Sequence, residues 1–167
     1  MTQTATEAVT ERLSDRIGVA SEPGQWFTVT QEAVDTFASL TNDQQWIHVD
    51  VERAKSGPFG GTVAHGFLTL SLVISLLESV PSDDPLHGVP VRMGVNYGLN
   101  RVRFPSPVLV GSRIRARRKL VGVDMVAPDC VQQVTEVTVE IDGQAKPACV
   151  AELVVRIWIE GTEAADA

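Results

Sequence analysis

Residues 60–80 read Gly-Gly-Thr-Val-Ala-His-Gly-Phe-Leu-Thr-Leu-Ser-Leu-Val-Ile-Ser-Leu-Leu-Glu-Ser-Val, and Pro81 follows. From Phe67 to Leu77 only Thr69, Ser71 and Ser75 interrupt a run of Phe, Leu, Val and Ile. Leu68, Leu72 and Leu76, with Val73 and Leu77, keep the i, i+4 spacing of a helix, and apolar residues fall on nearly every face. Spanning a bilayer takes roughly 18 or more apolar residues, and this run is shorter. The stretch predicts one long buried helix, opened after Gly60-Gly61 and stopped by Pro81.

Its beginning carries the chemical interest. His65-Gly66 falls in the expected first turn, where main-chain N–H groups lack helical acceptors and the helix dipole is positive. A glycine there lets a ligand atom approach the backbone. Upstream, Asp43 and His48 lie five residues apart in a polar segment, Asp43 to Asp50, read as a loop.

The 167 residues suit one domain with a sizeable core. A hydrophobic fraction of 44% and a charged fraction of 21% are ordinary for a soluble globular chain. The net charge of −7 argues against nucleic acid or an anionic membrane as partner. Seven of the 14 Lys and Arg nonetheless cluster as Arg101, Arg103, Arg113, Arg115, Arg117, Arg118 and Lys119. That patch reads either as a solvated strand face or as a receptor for the phosphates of a small anionic ligand.

The first twenty residues have no apolar core, so they are neither signal peptide nor anchor. Residues 1–20 are taken as a polar segment, helical from Glu7 to Arg16 or else a loose tail, 21–160 as one domain, and 161–167 as a C-terminal tail. Cys130 and Cys149 make no disulfide framework. If Asp142-Gly143 forms a two-residue hairpin loop, Cys149 faces Glu136 and not Cys130, giving two buried free thiols and a cytoplasmic location.

Ser21-Glu22-Pro23-Gly24 reads as a turn. Trp26 to Val29 reads as a short strand, Thr30 as the N-cap of a helix ending near Asn42, and Asp50 as the cap of a turn over Val51 to Lys55. From Val89 the apolar period becomes two, giving four or five strands in sequence. Pro147 suggests an edge or bulge at the start of the last strand. One early strand, a helical section and then a run of strands indicate an α+β fold, with a curved antiparallel sheet wrapped around one helix. The uncovered sheet edges suggest a homodimer.

Asp43 and His48 are the first candidates for proton transfer: a carboxylate can take a proton from a water that an imidazole orients, or the reverse. Either residue also has a plain structural reading, as a helix end or a hydrogen-bonded loop histidine. The Gly66 N–H can serve as an oxyanion donor, or the glycine can answer a packing need. His65 reads as a residue that fixes the turn. His48, His65 and His87 lack metal-ligand spacing, so neither metal nor cofactor is expected.

Three stretches together carry a resemblance: residues 41–50 (Thr-Asn-Asp-Gln-Gln-Trp-Ile-His-Val-Asp), 57–68 (Gly-Pro-Phe-Gly-Gly-Thr-Val-Ala-His-Gly-Phe-Leu) and 96–104 (Asn-Tyr-Gly-Leu-Asn-Arg-Val-Arg-Phe). From about Trp26 to Ile159 the chain resembles the MaoC-like dehydratases, (R)-specific enoyl-CoA hydratases of the hotdog fold, and within them the subgroup resembling nodulation protein N. The resemblance implies a dimer that reversibly adds water to a trans-2-enoyl-CoA. Asp43 and His48 would handle the water, and the Gly66 amide would hold the thioester oxygen. His65, Asn96, Arg113, Arg115 and Arg117 complete the expected substrate-binding set, the arginines as an inferred contact to coenzyme A phosphates. Asn42, Gln45 and Trp46 depart from the usual family run, and Ile74 stands where some relatives carry a serine. An acyl-CoA thioesterase of the same fold and a non-catalytic acyl-thioester binding protein are the alternatives.

Overall fold

In the computed structural model, which describes residues 3–82 and 85–160, four long strands form most of one antiparallel sheet. They are β2 (Val91–Arg103), β3 (Arg113–Ala127), β4 (Cys130–Ile141) and β5 (Cys149–Ile159), with the two-residue β1 (Phe27–Thr28) at one edge. The order across the sheet is β1-β3-β4-β5-β2. Register shifts interrupt the β2–β5 and β3–β4 ladders, and such bulges add local bend and twist.

The alternation anticipated in these strands sets the core. Val137, Val139 and Ile141 of β4 and Cys149, Ala151 and Leu153 of β5 are buried with Ile114 and Ala116 of β3. Against them lie Leu68, Val73 and Leu76 of the residue 60–80 stretch. Farther along the same face, Val131, Ile157 and Ile159 pack with Val9 and Leu13 of α1 (Ala5–Ser14). This helix is closed at its start by reciprocal bonds between Thr4 and Glu7. The tail assigned to 161–167 lies outside the described residues, as do Asp83 and Asp84 of the loop after Pro81.

The central helix differs from its expectation in three ways. It starts at Gly66, not after Gly61, because residues 62–64 are extended: Ala64 N–H bonds Val108 O at 2.8 Å and Val110 N–H bonds Thr62 O at 2.9 Å. It runs as two segments, α5 (Gly66–Ser71) and α6 (Val73–Glu78), joined through Leu72 in right-handed helical conformation. It is also not buried all round. Phe67 is 68% exposed and Ile74 46% exposed, and with Ser71 and Ser75 they mark one uncovered stripe.

The two cap readings hold. Thr30 Oγ1 accepts the Ala33 N–H at 3.2 Å and caps α2 (Gln31–Thr41), which ends at Asn42 in left-handed conformation. Asp50 Oδ1 accepts the Arg53 N–H at 3.0 Å and caps α4 (Val51–Lys55). The segment read as loop contains one helical turn, α3 (Trp46–Val49). Residues 20–24 are extended alongside β3 and form no turn, with Ser21 N–H bonded to Arg118 O and Gly24 N–H to Ala116 O. The connection after Ile141 extends to Ala148, so Cys149 faces Val139 and not Glu136. Both cysteines are nevertheless buried and free. Pro147 precedes β5, an interior strand, and marks neither an edge nor a bulge.

Gly24 touches the far end of the central helix. A Cβ there would collide with Ser79 Oγ and lie 3.1 Å from Val80 and 3.2 Å from the Leu76 carbonyl. Ser79 Oγ also receives the Gln25 N–H at 3.0 Å. Gly24→Ala is therefore expected to destabilise the fold by about 1–3 kcal/mol, as overpacking does, in a denaturant titration. An unchanged midpoint would show that this contact yields freely.

Candidate functional site

The site is assembled by main-chain pairing. Val63 N–H bonds Ile47 O at 3.0 Å. Val63 O receives the His48 ring at Nδ1 over 2.6 Å. A carbonyl only accepts, so Nδ1 carries the hydrogen and the neutral ring keeps its lone pair at Nε2. Gln31, on α2, adds a second brace that the sequence reading missed. Its Nε2 donates to His48 O at 2.8 Å, and its Oε1 accepts from Thr62 Oγ1 at 2.6 Å. A glutamine just after an N-cap gives no sequence signal for this, because its partners lie 17 and 31 residues away.

Asp43, His48 and His65 converge: one ligand-capable atom from each lies within 4.8 Å of those of the others. The Asp43 side chain is 55% exposed, while His48 and His65 are 7% and 2% exposed. The two imidazoles stack with centroids 3.7 Å apart and an interplanar angle of 25°. His65 Nε2 is 3.0 Å from the Asp43 main-chain oxygen and 4.0 Å from its Oδ2. The carbonyl contact requires a hydrogen on His65 Nε2. That nitrogen then has no lone pair for a metal, and the lone pair of this ring lies at Nδ1.

Gly66 opens the helix. The first intrahelical bond runs from Thr69 N–H to His65 O at 3.1 Å, so the N–H groups of Gly66, Phe67 and Leu68 have no acceptor within the helix. No side chain caps this end. The absent Cβ has a second reason: its position lies 3.0–3.1 Å from ring carbons of Phe104. The packing reading of Gly66 is thus met by Phe104, and its N–H is left without a helical acceptor.

Asn96 and the arginines are not brought to this cluster. Asn96 lies on β2 opposite Val155. Phe104, which touches Gly66, is eight residues farther on, roughly 25 Å at about 3.3 Å per strand residue. Arg113, Arg115 and Arg117 alternate with the core residues Ile114 and Ala116, so they project from the opposite sheet face. Each has a carboxylate partner: Asp142 for Arg113, Glu140 for Arg115 at 2.8 Å and for Arg117 at 2.5 Å. Arg115 also covers the Trp26 ring at 4.3 Å. These pairings fit the solvated-face reading of the patch. Trp46 is held by the Arg53 guanidinium at 4.3 Å and has room because Gly57 carries no Cβ.

Burial holds the His48 pKa below its ordinary value; the bond to Val63 and the Asp43 charge oppose this, and His65 adds to it. Its NMR titration midpoint should lie below about 6.5. Stability should be complete above that value, where the ring is neutral folded and unfolded. It should fall as pH drops below about 6.5, because the unfolded chain binds the proton first, until the folded ring also protonates. His48→Gln should flatten this slope in denaturant melts; an unaltered slope would assign it to other groups.

Comparison with known proteins agrees with this architecture. The MaoC like domain matches residues 13–142. The chain is 52% identical over 149 residues to 3-hydroxyacyl-thioester dehydratase Z of Mycobacterium tuberculosis, covering 87% of this chain and 95% of that protein. It is 45% identical over 150 residues to nodulation protein N of Rhizobium leguminosarum bv. viciae, covering 87% and 88%. Among solved structures, the (R)-hydratase from A. caviae involved in PHA biosynthesis superposes with a TM-score of 0.62 at 25% identity, covering 80% of this chain and 95% of that one. The curled sheet on its central helix is thus the hotdog fold, and the chain belongs to the MaoC-like domain family.

Proposed function

We propose that this protein is an (R)-specific hydratase of trans-2-enoyl thioesters, equally a dehydratase of 3-hydroxyacyl thioesters in reverse. The observation that carries the reading is the meeting of Asp43 and His48 with His65, the residue before Gly66, whose N–H has no acceptor within the helix. The names of the relatives, a 3-hydroxyacyl-thioester dehydratase and an (R)-hydratase, support the same class.

Water adds at the β-carbon of the enoyl thioester and a proton at the α-carbon, so negative charge gathers on the thioester oxygen. The Gly66 N–H is the donor for that oxygen, and a donor serving the developing charge better than the ground state lowers the barrier. Such contacts are commonly worth roughly 3–4 kcal/mol. With Nδ1 committed to Val63, His48 presents Nε2 as acceptor to the water, and the Asp43 carboxylate takes its other hydrogen. The proton removed from water is the one returned to the α-carbon, so water and substrate balance without a further reagent.

The active unit is a homodimer on this reading. The outer edge strand β2 exposes Val91, Met93, Val95, Tyr97 and Leu99, beside Phe67, Ile74 and Phe104. Covering a large apolar side chain contributes about 1.5–3 kcal/mol. A second copy would also shelter the open side of the Asp43–His48 cluster from bulk water. The substrate is an acyl-CoA or another acyl thioester. Two unpaired thiols suit a reducing compartment such as the cytoplasm, and among the described residues no helix is long and apolar enough to cross a membrane.

Asp43→Asn and His48→Gln should each lower kcat for enoyl-CoA hydration by about 10²–10⁴, as loss of a proton-transfer group does. The assay is loss of enoyl-thioester absorbance run beside a free-thiol assay. Thiol release would identify a thioesterase instead, and saturable binding without turnover would identify a binding protein. In sedimentation, the chain should run at twice its 18.0 kDa mass. Val95→Asp with Leu99→Asp should give monomers; a monomeric parent protein would remove the dimer from the reading.

A further inference from the structure

We propose that His65 is a positioning residue that fixes both proton-transfer groups at once, holding the Asp43 main chain with the edge of its ring and His48 with the face. This rests on the hydration reading above.

Four observations converge on this one ring. Its Nε2–H donates to the Asp43 carbonyl at 3.0 Å. One face stacks on His48 at 3.7 Å between centroids. Phe37 closes another side at 5.1 Å, tilted by 51°. The remaining nitrogen, Nδ1, is buried without a hydrogen-bond partner. That last feature argues against a filler role. A buried, unsatisfied polar atom carries a desolvation cost, and Phe or Leu would fill the same space without it. An imidazole is retained where both a flat face and an edge donor are required. Asp43 is itself half-exposed and just beyond the end of α2, at Asn42, so the bond from His65 is a direct tie between its main chain and the helix start.

The residue's place in the chain strengthens the argument. His65 immediately precedes Gly66, and its own carbonyl accepts the first helical bond, from Thr69 N–H. One backbone position therefore references the acid, the imidazole and the proposed oxyanion donor to the same helix end. A displacement of about 1 Å at such a constellation can cost roughly 10²-fold in rate. A ring acting through Asp43 and His48 should be felt there and not in substrate affinity.

The test uses the full-length protein and two variants with opposite losses. His65→Gln keeps an amide N–H for the Asp43 carbonyl but removes the ring; His65→Phe keeps a ring for the stack but removes the donor. With trans-2-butenoyl-CoA, both should lower kcat more than they change KM, His65→Phe by on the order of 10²-fold. His65 and Asp43 are the titratable groups that act on His48. Removing His65 takes away a neighbour that disfavours charge on His48. The acidic limb of kcat/KM should therefore move to higher pH in His65→Gln, and less in His65→Phe, where the ring still shields. Parent-like kcat and pH limbs in both variants, or losses that simply follow melting temperature, would overturn the proposal.

If neither variant folds, ¹⁵N-detected histidine spectra of the parent protein decide. The hydrogen should be on Nε2 of His65 and on Nδ1 of His48; a His65 hydrogen on Nδ1 overturns the clamp. Asp43→Asn and His48→Gln, measured alongside, separate the two ideas. Full hydration turnover in those variants removes Asp43 and His48 from the mechanism, while the tautomers still report on the clamp. Loss of turnover in them, with His65 variants unaffected, defeats the clamp alone.

Discussion

Everything near the start of the central helix hangs on the main chain of Val63. Its N–H is tied to Ile47 and its carbonyl to the His48 ring, while its neighbours Thr62 and Ala64 are bonded to Val110 and Val108. One extended residue thus joins the segment that carries Asp43 and His48 to the strand lead that runs back into the sheet. Bonds of this kind each contribute only about 0.5–1.5 kcal/mol net. Their value here is geometric: they leave His48 one orientation and one neutral tautomer. Gln31 repeats the constraint from the other side through the His48 carbonyl and Thr62.

Much of the fold was legible because its signals are local. The Thr30 and Asp50 caps, the period-two strands and the apolar run after Gly66 depend on residues a few positions apart. The helix starts later than Gly60-Gly61 suggests, because residues 62–64 are claimed by main-chain pairing with residues 108–110. The apparent all-round burial failed for a related reason: periodicity reports how apolar a face is, not what covers it. Phe67 and Ile74 are as apolar as the core and still face outward.

The candidate site was legible in part. Asp43 and His48 stood out by residue type and spacing, and they do converge. That His65 joins them could not be read from positions 17 and 22 residues apart, because the connection runs through the packed fold. The arginines had two readings, a solvated face or a phosphate receptor, and cross-strand pairing bears on the first. A count of basic residues does not report the acids of the neighbouring strand, and β3–β4 pairing sets Glu140 opposite Arg115 and Glu136 opposite Lys119. The result is a laddered, charge-neutralised outer surface on a chain whose total is −7.

Cys149 has no exposed surface and Cys130 almost none, and burial pushes the Cys149 thiol up to about 11. The thiolate is the reactive form, so in the closed fold this sulfur is chemically silent toward oxidants and alkylating agents. Damage at this site would begin with an opening of the β4–β5 layer. The sulfur therefore keeps a record of how often that layer breathes.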